Sequence, residues 1–245
     1  MRSLVGLFTL LLVTLLAANA GAKDVIDHEP FDRILSKYVD SKGLVDYEGL
    51  RSNEKDRKKF EKYVDAIESA NVKGSKNAKL AFYLNAYNAT VIDSVLQHWP
   101  LKSVMNVDGF FKKEKHEIAG KKITLDHLEH KIIRPTFNDA RVHFALVCAA
   151  MSCPPLKKKP FTEKNVDRML TENTKAFIPK ATTVDKEKKV VTTSKLFEWF
   201  SGDFEADEGS VAKYLARYYP QHAEFLKSGD YKLKFSPYDW ALNIQ

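Results

Sequence analysis

Apolar residues recur at helical spacing along much of the chain. Phe31, Ile34, Leu35, Tyr38 and Val39 form a first stripe, closed by Lys42-Gly43. Val45-Asp46-Tyr47 is a short extended piece. A charged amphipathic helix follows from Glu48 to Ala70, with Phe60, Val64 and Ile67 on its inner face and a break expected near Ser52-Asn53. Asn77 to Trp99 predicts the longest helix, capped by Ser75 or Asn77 and stopped by Pro100. Nearly every face is apolar between Leu80 and Leu96, so this helix is expected to be central and buried.

Further on, His116 to Leu125 reads as a hairpin turning at Ala119-Gly120. Leu125, Leu128, Ile132 and Ile133 then stripe a helix, capped by Thr124 or Asp126, that stops near Arg134 because Pro135 follows. Val142 to Val147 is apolar and rich in β-formers, which predicts a strand that has ended before Pro154 and Pro155. A helix capped by Thr162 carries Val166, Met169, Leu170 and Phe177. A strand from Lys189 to Thr193, a short helix capped by Ser194, a helix from Ser210 to Tyr218 and a strand from Tyr231 to Phe235 complete the chain. The expected class is α+β, with helices packed around a small, mainly antiparallel sheet.

Of the 245 residues, 44% are apolar, enough for a real core, and nothing marks an interdomain linker. Residues 1–20 have the pattern of a secretory signal: Arg2, an uncharged apolar run from Leu4 to Ala18, and a small-x-small site at Ala18-Asn19-Ala20 or Ala20-Gly21-Ala22. The run is short for a membrane span of about 20 residues, so cleavage is expected, leaving one domain over residues 21–245 with no integral span. The protein is therefore expected to be secreted or periplasmic.

The net charge of +7 is carried by lysines in clusters such as Lys157-Lys158-Lys159, interspersed with acidic residues. Such clusters read as solvated faces, with weak attraction to anionic polymers or membrane surfaces as the other use. No nucleic-acid motif is present, and no nucleic-acid partner is expected.

The chemistry concentrates in two neighbouring stretches. Arg141 to Leu156 holds both cysteines of the chain, Cys148 and Cys153. Upstream, Glu129 falls inside the apolar stripe of the Leu125–Arg134 helix, where a carboxylate must find a partner or take a proton. Thiol catalysis needs a thiolate, a base, a group that orients the base and donors for an oxyanion. Cys148 serves as nucleophile, His130 as base and Glu129 as orienter or second acid. Asn85 or Asn88, both in the apolar stretch of the long helix, supplies an amide donor. His143 is the rival base, although residues five apart on a strand face opposite sides, which would turn it away from Cys148.

Each of these residues has a blander reading. An even number of cysteines in an exported chain suggests a Cys148–Cys153 disulfide. Glu129 can pair with Arg134, which can equally take Asp126. Asn85 and Asn88 can bond to nearby backbone. Cys148, Cys153, His130 and His143 are acceptable zinc ligands, but the cysteine spacing is loose and no histidine pair has a recognised spacing. No metal and no cofactor is expected.

Ala81-Phe-Tyr-Leu-Asn-Ala-Tyr-Asn88, Leu125 to Arg134, Val142 to Cys148 with Ser152-Cys-Pro-Pro155, and Tyr238-Asp-Trp-Ala-Leu-Asn243 together resemble the DUF547 family. The resemblance spans about Asn77 to Asn243. It implies a domain like the papain- or transglutaminase-type thiol enzymes, with Cys, His and Glu as a triad. Family members without the second cysteine would make Cys148 the more important thiol. Two functions stay open: a thiol-dependent hydrolase or acyltransferase acting on amide or peptide bonds, and a non-catalytic envelope or binding domain stapled by the cysteine bridge.

Overall fold

A computed structural model describes residues 23–245. The signal-like segment lies outside the described residues. Helix α1 (Glu29–Tyr38) is followed by α2 (Tyr47–Ser52) and α3 (Glu54–Glu68), separated at Asn53, whose side chain caps α3 by accepting from Asp56 N–H. The break expected near Ser52-Asn53 is thus a helix cap. Helix α4 (Lys76–Gln97) is capped by Ser75 and buries residues on every side, as its apolar pattern requires. The first and larger core packs around it, joining Phe31, Leu35, Phe60, Phe82, Leu128 and Ile133.

Strands β1 (His116–Ile118) and β2 (Lys121–Ile123) form the expected antiparallel hairpin. The chain then enters a helix of mixed geometry: α5 (Leu125–His127), a π-helical stretch (Leu128–Ile133) and α6 (Arg134–Phe137). It does not stop at Arg134. The widened π turn carries the chain through Pro135, and Arg134 N–H bonds back to Glu129 C=O.

Helix α7 (Val166–Ala181), β3 (Thr183–Asp185), β4 (Val190–Thr193), α8 (Leu196–Trp199), α9 (Ser201–Glu208), α10 (Val211–Tyr218), α11 (Ala223–Ser228) and β5 (Lys232–Phe235) follow. Strand β4 pairs antiparallel with β3 and parallel with β5. The class is α+β, with sheets of two and three strands. A second core gathers Phe144, Phe197, Phe204 and Tyr214 beside the three-stranded sheet. No helix among the described residues is long and apolar enough to cross a membrane.

The strand expected over Val142–Val147 does not form. Ala140–Phe144 is a 3-10 helix, and the chain beyond it runs irregularly. The segment is as buried as a central strand would be, because it divides the two cores. Ala140 and Phe144 join the second core, while Val142, Ala145, Leu146 and Val147 join the first. Its backbone polar groups still need partners there, and asparagine side chains supply them. Asn88 donates to Ala145 C=O at 2.9 Å and accepts from Val147 N–H at 2.9 Å. Asn173 of α7 donates to Phe144 C=O at 3.1 Å. A side-chain amide offers one donor and one acceptor side by side, as a neighbouring strand would.

Candidate functional site

Between the two cores lies a cleft of about 380 Å³. Glu129, His130, His143, Cys148, Phe200 and Tyr238 are among its lining residues. Glu129 and His130 reach it from the π-helical stretch. Adjacent residues of an α-helix diverge by about 100°, yet both of these line the same opening. His143 reaches it from the 3-10 turn. On a strand it would have faced away from Cys148; on the turn, both line one cavity.

His143 is the best-held group in the cleft. Its side chain is 1% exposed. Its Nε2 lies 2.7 Å from Asp203 Oδ2, and the Phe200 ring stacks on it with centroids 3.9 Å apart. Asp203 also receives Arg134 through two bonds, Nε at 2.7 Å and Nη2 at 2.8 Å. Burial alone would raise the Asp203 pKa, but the hydrogen bonds from His143 and Arg134 outweigh it and hold the carboxyl well below its ordinary range. Asp203 is therefore a carboxylate, and His143 donates Nε2–H to it. That leaves Nδ1 with the lone pair whenever the ring is neutral. Burial pushes the His143 pKa down, against the opposing pull of Asp203, so the neutral ring is favoured. Nδ1 faces Glu129, with Oε1 4.0 Å away.

Glu129 meets the expectation of a carboxyl on a buried face. Burial, reinforced by Asp126 and Asp203 and opposed by Arg134, raises its pKa to about 7. It forms no ion pair with Arg134, whose guanidinium is committed to Asp203. No side-chain hydrogen bond from the described residues holds it, so its proton is available near neutral pH.

His130 is placed differently from the expectation. Arg134 Nη1 donates to its Nδ1 at 2.7 Å, and its Nε2 stands 3.6 Å from Asp126 Oδ1. An imidazole that accepts from a guanidinium is held neutral at that nitrogen. Burial and Arg134 lower its pKa, while Asp126 works in the other direction. His130 lines the cleft, but its lone pair is already used.

Asn85 and Asn88 do not reach the cleft. Asn85 donates to Phe161 C=O at 2.7 Å and accepts from Phe161 N–H at 2.9 Å, while Asn88 holds the 145–147 segment. Both amides are consumed by backbone, which removes them as substrate donors: Asn88 clamps the segment that leads into Cys148, and Asn85 clamps the chain at Phe161.

Cys148 and Cys153 are joined as a disulfide, with Cα atoms 6.3 Å apart. Ala149, directly after Cys148, sits at φ 59°, in the left-handed region that costs an L side chain roughly 1–2 kcal/mol. The loop is held there by the C-terminal strap. Asn243 N–H bonds to Ala149 C=O, Ala150 bridges Leu242 antiparallel, and Met151 N–H bonds to Ala241 C=O. The strap also delivers Tyr238, whose Oη lies 3.2 Å from Cys148 Sγ. Burial, reinforced by Glu129, raises the Tyr238 pKa and keeps the phenol protonated. At the Cys153-Pro154-Pro155 corner, Pro155 packs on Gly43 so closely that a Cβ there would lie 2.6 Å from its own.

Among the described residues no group of three or more His, Cys, Asp or Glu is arranged to hold a metal ion. Asp203 was not anticipated as a site residue. The signal available was its place between Phe200 and Phe204, an i, i+4 aromatic pair.

Residues 72–178 match the family described as "Protein of unknown function, DUF547". That segment contains Glu129, His130, His143 and both cysteines; Asp203, Phe200 and Tyr238 lie beyond it. No curated protein matches the chain. No solved structure matches it.

Proposed function

We propose that this DUF547-family chain is an exported thiol-dependent hydrolase or acyltransferase acting on amide or peptide bonds, with Cys148 as nucleophile once its bridge is reduced. The observation that carries this reading is the His143–Asp203 pair, which leaves His143 Nδ1 as the free base in the cavity that Cys148 lines. His143 replaces His130 as base, and Asp203 takes the orienting role first given to Glu129. Glu129, titrating near 7, becomes a second acid.

A dithiol reductant supplies two electrons and two protons to open the Cys148–Cys153 bond. His143 Nδ1 then takes the Cys148 proton, and the thiolate adds to the substrate carbonyl, forming a C–S bond. Collapse breaks the C–N bond, and the leaving amine takes the proton back from His143. Water or an acceptor amine attacks the thioester, giving its proton to His143, which returns it to the Cys148 sulfur. Tyr238 O–H, 3.2 Å from that sulfur, is a donor for the oxyanion. Export rests on the N-terminal pattern, and a cysteine bridge is suited to an oxidising compartment.

The bridge itself favours a second reading, a non-catalytic envelope or binding domain with Cys148–Cys153 as a staple. One experiment separates the two. The protein is treated with a thiol-alkylating reagent with and without prior reduction, and amide and ester hydrolysis is followed alongside intact mass. The enzyme reading requires turnover that appears on reduction and disappears as Cys148 is alkylated. No turnover in the reduced, folded protein leaves the staple.

A further inference from the structure

A second cavity, of about 520 Å³, lies on the other side of the cysteine corner. Cys153 and Tyr238 line both cavities, so the disulfide loop and the strap form the partition between them. Four lysines open into it: Lys42, Lys157, Lys180 and Lys195. Lys195 is paired with Glu198 at 2.6 Å. The other three form no ion pair among the described residues. Glu172, the acidic residue that acts on Lys157, is itself held by Arg168 at 2.7 Å. Like charges gathered around a cavity without counter-charges repel one another, and an anion relieves that repulsion.

The walls are not uniformly polar. Phe144, Phe177, Met151 and Pro154 share the lining with the lysines. A bare inorganic anion would leave that apolar surface unused, whereas a peptide carries carboxylates on a chain that packs against it.

We infer that this lysine-lined cavity is a subsite for the carboxylates of an acidic peptide, which reaches across the Cys153–Tyr238 partition into the thiol cleft. The inference names a substrate class for the proposed enzyme and in that respect rests on it, but binding is measured without catalysis. Half-burial and the neighbouring Lys180 push the Lys157 pKa down, in keeping with an ammonium short of counter-charge.

The test uses the oxidised protein, in which the sulfur cannot react. Calorimetric titration with a hexaglutamate peptide should show binding that weakens as salt is added, while a hexaglutamine peptide should bind at least tenfold more weakly. The double variant Lys157→Gln/Lys180→Gln should lose about tenfold in affinity, about 1.4 kcal/mol. Lys121→Gln/Lys122→Gln, in the β1–β2 hairpin, removes the same charge and should lose almost nothing. Equal losses in the two double variants, equal binding of the uncharged peptide, or displacement of hexaglutamate by equimolar inorganic phosphate would each overturn the subsite. Binding without turnover after reduction would remove the thiol mechanism and keep the subsite. Turnover without charge preference would do the reverse.

Discussion

Asp203 and His143 stand 60 residues apart in the chain, yet their side chains meet at 2.7 Å, and the same carboxylate takes Nε and Nη2 of Arg134. One residue of a short helix thus fixes an imidazole from the 3-10 turn and a guanidinium from the helix opposite. Asp203→Asn keeps the shape and removes the charge. We expect a loss of roughly 2 kcal/mol at neutral pH, with any reduced-state turnover falling at least tenfold. The folded pKa is depressed, so the stabilisation is complete above the unfolded value of about 3.9 and declines as pH falls toward the folded one. Urea titrations should therefore show the gap between wild type and variant narrowing in acid. A gap that stays constant into acid would mean that the charge is not what holds the pair.

Glu129 acts on stability with the opposite sign. Its pKa is about 7 in the fold and near 4.5 when unfolded. Between those values the folded state holds a proton that the unfolded state has released, so stability falls as pH rises. The contribution is at most on the order of 3 kcal/mol. Glu129→Gln should abolish this slope and be more stable than wild type at pH 8, with little difference at pH 4. Denaturation midpoints at the two pH values measure it directly.

Much of the fold could be read from apolar spacing, because α4, the β1–β2 hairpin and the break at Asn53 each satisfy local rules. The burial and proton affinity of Glu129 followed from its place in a stripe. The 142–147 segment defeated the same reasoning. Burial and composition matched a strand, but the partners of its backbone are Asn88 and Asn173, and a side chain that substitutes for a strand leaves no periodicity. Asp203 was hidden for a related reason. Ser201–Glu208 is polar apart from Phe204 and Ala206, so its sequence resembles an acidic loop, and only the tertiary fold brings it to His143.

Asn88 offers a direct check on that account. Asn88→Ala leaves Ala145 C=O and Val147 N–H unpaired in a buried site, which should cost roughly 2–4 kcal/mol. Hydrogen exchange at the Val147 amide should accelerate by far more than at amides within α4. A uniform change across the molecule would point to simple global destabilisation instead of a local clamp.

The two cysteines give the sharpest contrast. Closing a loop of this length contributes about 2 kcal/mol in the chain-entropy account, so each single substitution should cost a similar amount of stability in the oxidised protein. Function should not follow that symmetry. Cys153→Ser leaves Cys148 as a free thiol beside Tyr238 and in the cavity of His143, so it should alkylate readily and turn over without added reductant. Cys148→Ala leaves the sulfur on the partition wall and should be inactive under every redox condition. If both variants lose stability alike and neither differs from wild type in hydrolysis, the pair is only a staple. If Cys153→Ser is active while Cys148→Ala is inert, the bridge acts as a lock on the nucleophile.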